Sequence, residues 1–345
     1  GGRRVQTIHD PWGNGRNALG LLGSDPKGVR AAVDRFLDGL AAGPSLVVER
    51  TFDVRLGAGA YRIGGLAEEP DVEAEKRSAE EALRRGEHTG LWTRIGDRGL
   101  LYGLTGNEKH AELYRWLVLR MYDHVLSRPD NYGGVWGFDA DFPSHRVMAG
   151  WDLVEESPAL GDEERLRITR ILAEYIAHCV SHVGDMSVKH CRHNHTTFAA
   201  LGLHYGGTYF RKYYRAPEAE EWLRLADACF EVQARAFKPH EDCSGYQWLT
   251  HSHVARWSLA KGDLSFFDNG CARRAADYAI LTTDTLRYAL PSGAPHAPFR
   301  SRREPTTPRP AFRGIGHRPS QRLLHGTPAI GPRPARAQPP GPAHA

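Results

Sequence analysis

Apolar residues recur at intervals of three and four along most of the chain between residues 107 and 290. Leu113, Trp116, Leu117, Leu119, Met121 and Val125 mark one helical face. Leu166, Ile168, Ile171, Leu172, Tyr175, Ile176 and Val180 mark a second, with Asp162, Glu163 and Glu164 placed where negative charge favours a helix N-terminus. A third helix is predicted from about His195 to Tyr213. Pro217 opens a fourth, whose apolar face carries Trp222, Leu225, Ala226, Cys229, Phe230 and Ala234, and two more are predicted at about 246–260 and 269–288. Helices that restart roughly every 20 to 30 residues, joined by Gly/Pro/Asp-rich loops, have the sequence form of stacked helical hairpins. The chain is therefore expected to be mainly all-α.

The first hundred residues follow a different pattern. Residues 1–25 carry turn-like clusters such as Trp12-Gly13-Asn14-Gly15 and read as irregular, and Asp25-Pro26 then opens a helix through about Leu40. Val47, Val48, Phe52, Val54, Leu56, Tyr61 and Ile63, broken by Gly57-Ala58-Gly59, predict a small hairpin or edge strands within residues 45–66. Glu68 to Glu87 is highly charged and reads as a solvated helix or a mobile loop. The division expected is an irregular and helical segment over 1–100 joined to a helical domain over 101–290.

Composition changes this picture at the C-terminal end. Thirteen of the 22 prolines lie in residues 291–345, together with nine Arg, no Lys and one acid, Glu304, and no helical or strand period survives there. This stretch is expected to be a disordered Pro/Arg-rich tail, either a natural linker or the product of a reading-frame slip in a GC-rich gene. It carries a charge of +8 of its own (9 Arg minus 1 Glu), so the other 290 residues, with 36 Lys+Arg (45 − 9) against 40 Asp+Glu (41 − 1), sit at −4. A nucleic-acid reading based on the total of +4 loses its support, because a basic footprint has to lie on the folded domain. No run of eighteen apolar residues predicts a membrane span. Gly1-Gly2-Arg3-Arg4 has neither an initiator Met nor an apolar signal core, which leaves export unread and allows a natural N-terminus further upstream.

Three polar constellations stand out as candidate chemistry. In the first, Arg192, His193, Asn194 and His195 run directly into the third helix. A helix N-terminus offers free N–H groups and partial positive charge to an anion, Asn194 can donate to a carboxylate, and His195 can move a proton near neutral pH. Asn194 as a simple N-cap is the competing reading. The second is Glu241 to His253, where Tyr246, Gln247, Trp248 and His251 form the mixture of ring, amide and imidazole that suits a sugar, while Trp248 as core and the histidines, His253 in particular, as a wet helix face is the alternative. The third runs from Asn131 to Asp141 and on to Arg146 and Trp151-Asp152. Tyr132, Trp136 and Trp151 there either line a groove or, in an ordinary interhelix loop, close the core. His190, Cys191, His193 and His195 lack a matching second cluster, and the five cysteines form no CxxC pair, so no metal site is expected. Phosphate-loop, dinucleotide and Gly-x-Ser-x-Gly signatures are absent, and no cofactor is expected.

Residues 100–290 resemble the helical half of the heparinase II/III-like and alginate-lyase-like polysaccharide lyases. The resemblance rests on Asn194-His195 opening an apolar helix that ends in Gly206-Gly207-Thr208-Tyr209-Phe210, and on Tyr246 in a loop-to-helix entry 52 positions on (246 − 194), combined with serial helical hairpins. It implies an incomplete α/α toroid, an acidic polysaccharide or oligosaccharide as partner, and β-elimination at a uronic acid. In that chemistry Asn194 neutralises the substrate carboxylate, Tyr246 protonates the leaving oxygen or takes the C5 proton, His195 serves as neutraliser or base, and Arg192 and Gln247 assist. It also implies a periplasmic or secreted location, and a β-sandwich that completes the site. Such a domain would begin where this chain turns Pro/Arg-rich, so a truncated protein of weak or no turnover is expected. A glycoside hydrolase using Asp152 with Asp242 or Glu241, and a noncatalytic carbohydrate-binding or structural helical protein, are the rival expectations.

Overall fold

The structure, a computed structural model, describes residues 1–8, 11, 12, 14–40, 48, 50–57, 69–126, 141–184, 194–235 and 247–281, and 74% of it is helical. The fold is mainly α. The tail from 291 onward lies outside the described residues.

Residues expected to be irregular form strands instead. β1 (Arg3–Ile8) pairs antiparallel with β2 (Ala18–Gly23) on one side and with β3 (Phe52–Arg55) on the other, Val5 lying opposite both Leu21 and Asp53. The pairing of β1 with a partner some fifty positions away is non-local, and the local pattern does not reveal it. Of the β-leaning segment 45–66, β3 is the strand among the described residues, and its partner is β1 rather than a hairpin neighbour. Between β2 and β3, α1 (Pro26–Asp38) starts as predicted: Asp25 accepts from the Gly28 N–H at 2.8 Å and Pro26 takes the first helical position. Phe52 stacks on Tyr102 at 5.0 Å, which fastens the sheet to the helices.

The charged stretch after residue 68 folds as α2 (Val72–Arg84), which buries Ala79, Ala82 and Leu83 and turns its charge outward. The chain then alternates between two layers. α2, α4 (Glu108–Leu126), α6 (Asp162–Gly184) and α8 (Glu218–Gln233) form one; α3 (His88–Thr105), α5 (Asp141–Val154), α7 (Asn194–Tyr214) and α9 (Gln247–Lys261) form the other. Short α10 (Ser265–Asp268) and α11 (Cys271–Leu281) follow. The second layer is parallel throughout. Gly96, Gly99 and Gly103 of α3 face Arg146, Gly150 and Leu153 of α5 in order. Asp141 and Trp151 of α5 meet His195 and Tyr209 of α7, and Thr197 of α7 meets His253 of α9. Each hairpin thus adds one helix to each layer. Starts at 88, 141, 194 and 247 put the members of the parallel layer 53 residues apart each time (141 − 88, 194 − 141, 247 − 194).

Aromatic pairs join the layers. Trp92 of α3 stacks on Tyr175 of α6 at 4.7 Å, Tyr114 of α4 on Trp151 of α5 at 5.9 Å, and Phe230 of α8 on Trp257 of α9 at 5.6 Å. Such pairs contribute about 0.5–1.5 kcal/mol each beyond the area they bury. α3 and α5 went unpredicted: α5 lies where an interhelix loop was one reading, and α3 where no element was expected. The division near residue 100 falls inside α3, whose Leu91, Trp92 and Ile95 belong to the same core as α5 and α7.

Candidate functional site at the N-terminal ends of the parallel helices

Because α5, α7 and α9 run in parallel, their first turns meet at one end of the molecule. Asp141 opens α5 with its carboxylate 1% exposed, a position where the helix N-terminus favours negative charge. His195, second residue of α7 and 25% exposed, brings its Nδ1 to 3.3 Å from Asp141 Oδ1 and 3.2 Å from Oδ2. A carboxylate against Nδ1 holds the proton there and leaves Nε2 as the acceptor. Phe142 packs against the His195 ring at 4.5 Å and against Phe198 at 4.5 Å, which fixes the imidazole from its flank.

Asn194 is the first residue of α7 and is buried; its backbone carbonyl accepts from the Thr197 hydroxyl at 2.9 Å. That hydroxyl has one proton, so its 2.8 Å contact with His253 Nδ1 is a bond donated by the imidazole. Burial holds the His253 pKa well below the usual histidine range, with the charges of Arg256 and Arg146 acting in the same direction. One turn further along α9, Arg256 Nη1 donates to His145 Nε2 at 2.9 Å. Arg carries no acceptor, so the His145 nitrogen is the unprotonated one. Burial lowers the Arg256 pKa, and the like charge of Arg146 lowers it further. Below Asp141, burial lifts the Cys179 thiol to about 12, with the Asp141 charge adding to it.

The arrangement offers a carboxylate-oriented imidazole in the first turns of α5 and α7 and, deeper in the layer, buried neutral histidines with Arg256 bonded to one of them. It can transfer a proton at His195 Nε2 and stabilise an anion beside it. Among the described residues, no group of three or more His, Cys, Asp or Glu gathers as a metal site, and His190, Cys191 and His193 lie outside them.

Of the residues singled out from sequence, Asn194 and His195 are brought to this end, and half-buried His251 lies on α9 between Gln247 and His253. Gln247 and Trp248 form the first turn of α9, their side chains outside what is described. Tyr246, Arg192, Tyr132 and Trp136 lie outside the described residues. Trp151 lines no groove: it is fully buried, stacks on Tyr114 and donates to the Tyr209 hydroxyl at 3.0 Å. Asp152, one position on, stands toward the far end of α5, while Glu241 and Asp242 lie outside the described residues. His253, read as part of a wet face, is 1% exposed. His145 and Arg256 were not singled out from sequence, and Asp141 was named only as the end of the third constellation, with no role of its own. The signal that finds Asp141 is the 53-residue recurrence of a polar residue followed by a ring, in Asp141-Phe142, Asn194-His195 and Gln247-Trp248.

The fold and site together define a mainly α chain of serial hairpins with a polar, cation-rich end. No family model, curated protein or solved structure matches the chain.

Proposed function

We propose that this chain is the helical part of a polysaccharide lyase-like protein that performs β-elimination at a uronic acid, with its reacting centre at the N-terminal ends of α5, α7 and α9. The observation that carries the reading is the Asp141–His195 pair beside buried Asn194. The parallel layer fed by serial hairpins is the architecture that an incomplete α/α toroid requires.

In this reading Asn194 donates to the uronate carboxylate and so withdraws charge as it builds during deprotonation. His195 Nε2, the acceptor opposite the Nδ1 that Asp141 holds, takes the C5 proton. The C5–H electron pair becomes the C4=C5 double bond, the C4–O bond breaks, and Tyr246 gives its phenolic proton to the departing oxygen. Asp141 touches no substrate; it is a positioning residue. The reading favours a lyase over a hydrolase because the described end of the layer presents one buried carboxylate already committed to a histidine, where hydrolysis needs two carboxylates across a cleft.

The test is ultraviolet absorbance from the new double bond on a panel of uronic-acid polymers at high protein concentration. New absorbance that disappears in His195→Ala and Tyr246→Phe is expected. New reducing ends without absorbance overturn the lyase reading in favour of hydrolysis, and the absence of both products overturns catalysis on these polymers.

A further inference from the structure

We propose that β2 is an association edge whose occupant is β2 of a second copy of this chain, paired antiparallel so that two three-stranded sheets become one of six strands. The inference does not rest on the lyase reading. The hydrogen-bond phase of the sheet shows which groups are available. On one side of β1 the Ser24 N–H donates to the Gly2 carbonyl at 3.0 Å, and on the other the Thr7 N–H donates to the Thr51 carbonyl at 2.8 Å. Carried along the register, this alternation turns the main chain of Ala18, Gly20 and Leu22 toward β1 and that of Leu19, Leu21 and Gly23 off the edge of the sheet. Among the described residues, nothing bonds to those outward amides and carbonyls. The two edges are not treated alike. β3 carries Asp53, tied to Arg3 and Arg35, whereas Ala18–Gly23 has no charge, no proline and no bulge, the devices that keep an edge strand from pairing.

The helix beside this edge points to the same partner. α1 packs on β2 and β1, with Gly28 and Val29 against Gly23, so it runs back over β2. Arg35 reaches toward β3, where it donates to Asp53 at 2.9 Å. The opposite flank of α1, on the side of the open edge, carries Val29, Val33 and Leu37 one turn apart, with Val29 41% and Leu37 55% exposed. At about 1.5 Å per helical residue against about 3.3 Å per strand residue, the position of α1 over Leu21 is roughly 33. A pairing centred on Leu21 uses every outward group: Leu21 bonds Leu21 of the other copy, and Leu19 and Gly23 bond each other reciprocally. The same dyad sets Val33 opposite Val33 and Val29 opposite Leu37. With strands about 4.8 Å apart, α1 stands roughly 5 Å from the dyad and about 10 Å from its copy, the separation at which helices pack. Main chain and side chains thus share one two-fold axis, which argues for a second copy over a foreign strand.

The experiment is sedimentation velocity of the full chain across a concentration series. One strand and one helix flank make an interface at or below the small end of the standard size, about 1,200 Å², so the parent should pass from monomer to dimer in the micromolar range. Leu37→Glu, at an exposed position, should raise the dissociation constant on the order of 10²-fold, about tenfold for each of the two symmetry-related contacts. Leu21→Pro removes an outward N–H that β1 does not use and should also leave a monomer, with circular dichroism reporting that the chain still folds. Val29→Lys combined with Leu37→Glu should restore the dimer, because opposite charges then meet across the dyad. A parent that stays monomeric, a dimer that survives Leu37→Glu and Leu21→Pro, or a double variant that stays monomeric overturns the proposal. The readout is mass and not turnover, so its failure is distinguishable from failure of the lyase assay.

Discussion

Replacing Gly99 with alanine tests the contact on which the parallel layer rests. Gly99 lies in the middle of α3, where alanine is intrinsically preferred over glycine by about 1 kcal/mol. A methyl group there would stand 2.8 Å from Gly150 C and 2.9 Å from Gly150 O, main-chain atoms of α5 that cannot swing aside as a side chain can. Ordinary carbon contact needs about 3.5–4.0 Å, so the helices have to separate by roughly 1 Å. That movement also loosens Gly96 against Arg146 and Gly103 against Leu153 along the same seam. Overpacking costs about 1–3 kcal/mol, and a clash with main-chain atoms belongs at the upper end of that range, which leaves a net destabilisation of up to about 2 kcal/mol after the helix preference is subtracted. Gly90 supplies the control, since it lies in the first turn of the same helix and a Cβ there meets nothing within 4 Å. Gly90→Ala should therefore stabilise, by about 0.5 kcal/mol. Urea unfolding followed by circular dichroism should move the two midpoints in opposite directions at an unchanged slope. A Gly99→Ala protein as stable as the parent would refute the close crossing of α3 and α5.

Tyr209→Phe should cost about 1–3 kcal/mol in the same urea assay, because the Tyr209 hydroxyl accepts from buried Trp151 Nε1 at 3.0 Å and donates to Glu155 Oε2 at 2.7 Å; equal stability would show that this buried chain contributes nothing. Burial pushes His204 down to about 4, so the unfolded chain binds a proton that the folded chain refuses: stability from this group is complete above about pH 6.5 and falls by up to ~3 kcal/mol as pH drops toward 4. His204→Leu should accordingly flatten the dependence of unfolding free energy on pH between those limits, and an unchanged slope would refute the assignment. Under the proposed elimination, Asp141→Asn should lower kcat by about 10²-fold with little change in KM, since it removes the group that fixes the His195 tautomer; an unchanged kcat would remove Asp141 from the site.

The helices α4, α6, α7 and α8 were legible in the sequence. α8, for example, turns Glu220, Glu221 and Arg224 to solvent and Trp222, Leu225 and Phe230 to the core. α3 and α5 were not, because helices enclosed on several sides lose the polar face that makes a period visible. Glycine is by local preference a poor helix former, yet Gly96, Gly99 and Gly150 are the residues that allow the close approach of α3 and α5. The site divides in the same way. Asn194-His195 was visible as polarity placed before an apolar helix. The pairing of Asp141 with His195 was not, because the two lie 54 positions apart (195 − 141) and nothing local links them. His253 has the local pattern of a solvated helix face, and only the neighbouring helices bury it.

Parallel packing explains why chemistry concentrates where it does: Asp141 and His195, 54 positions apart in sequence (195 − 141), meet because α5 and α7 run side by side in the same direction. Each added hairpin also adds a helix N-terminus, worth roughly half a positive charge, at that end. The first 290 residues carry a net −4, and their composition alone gives no reason to expect an anionic ligand. Topology acts locally, because helix N-termini aligned at one end favour negative charge there whatever the net charge of the chain.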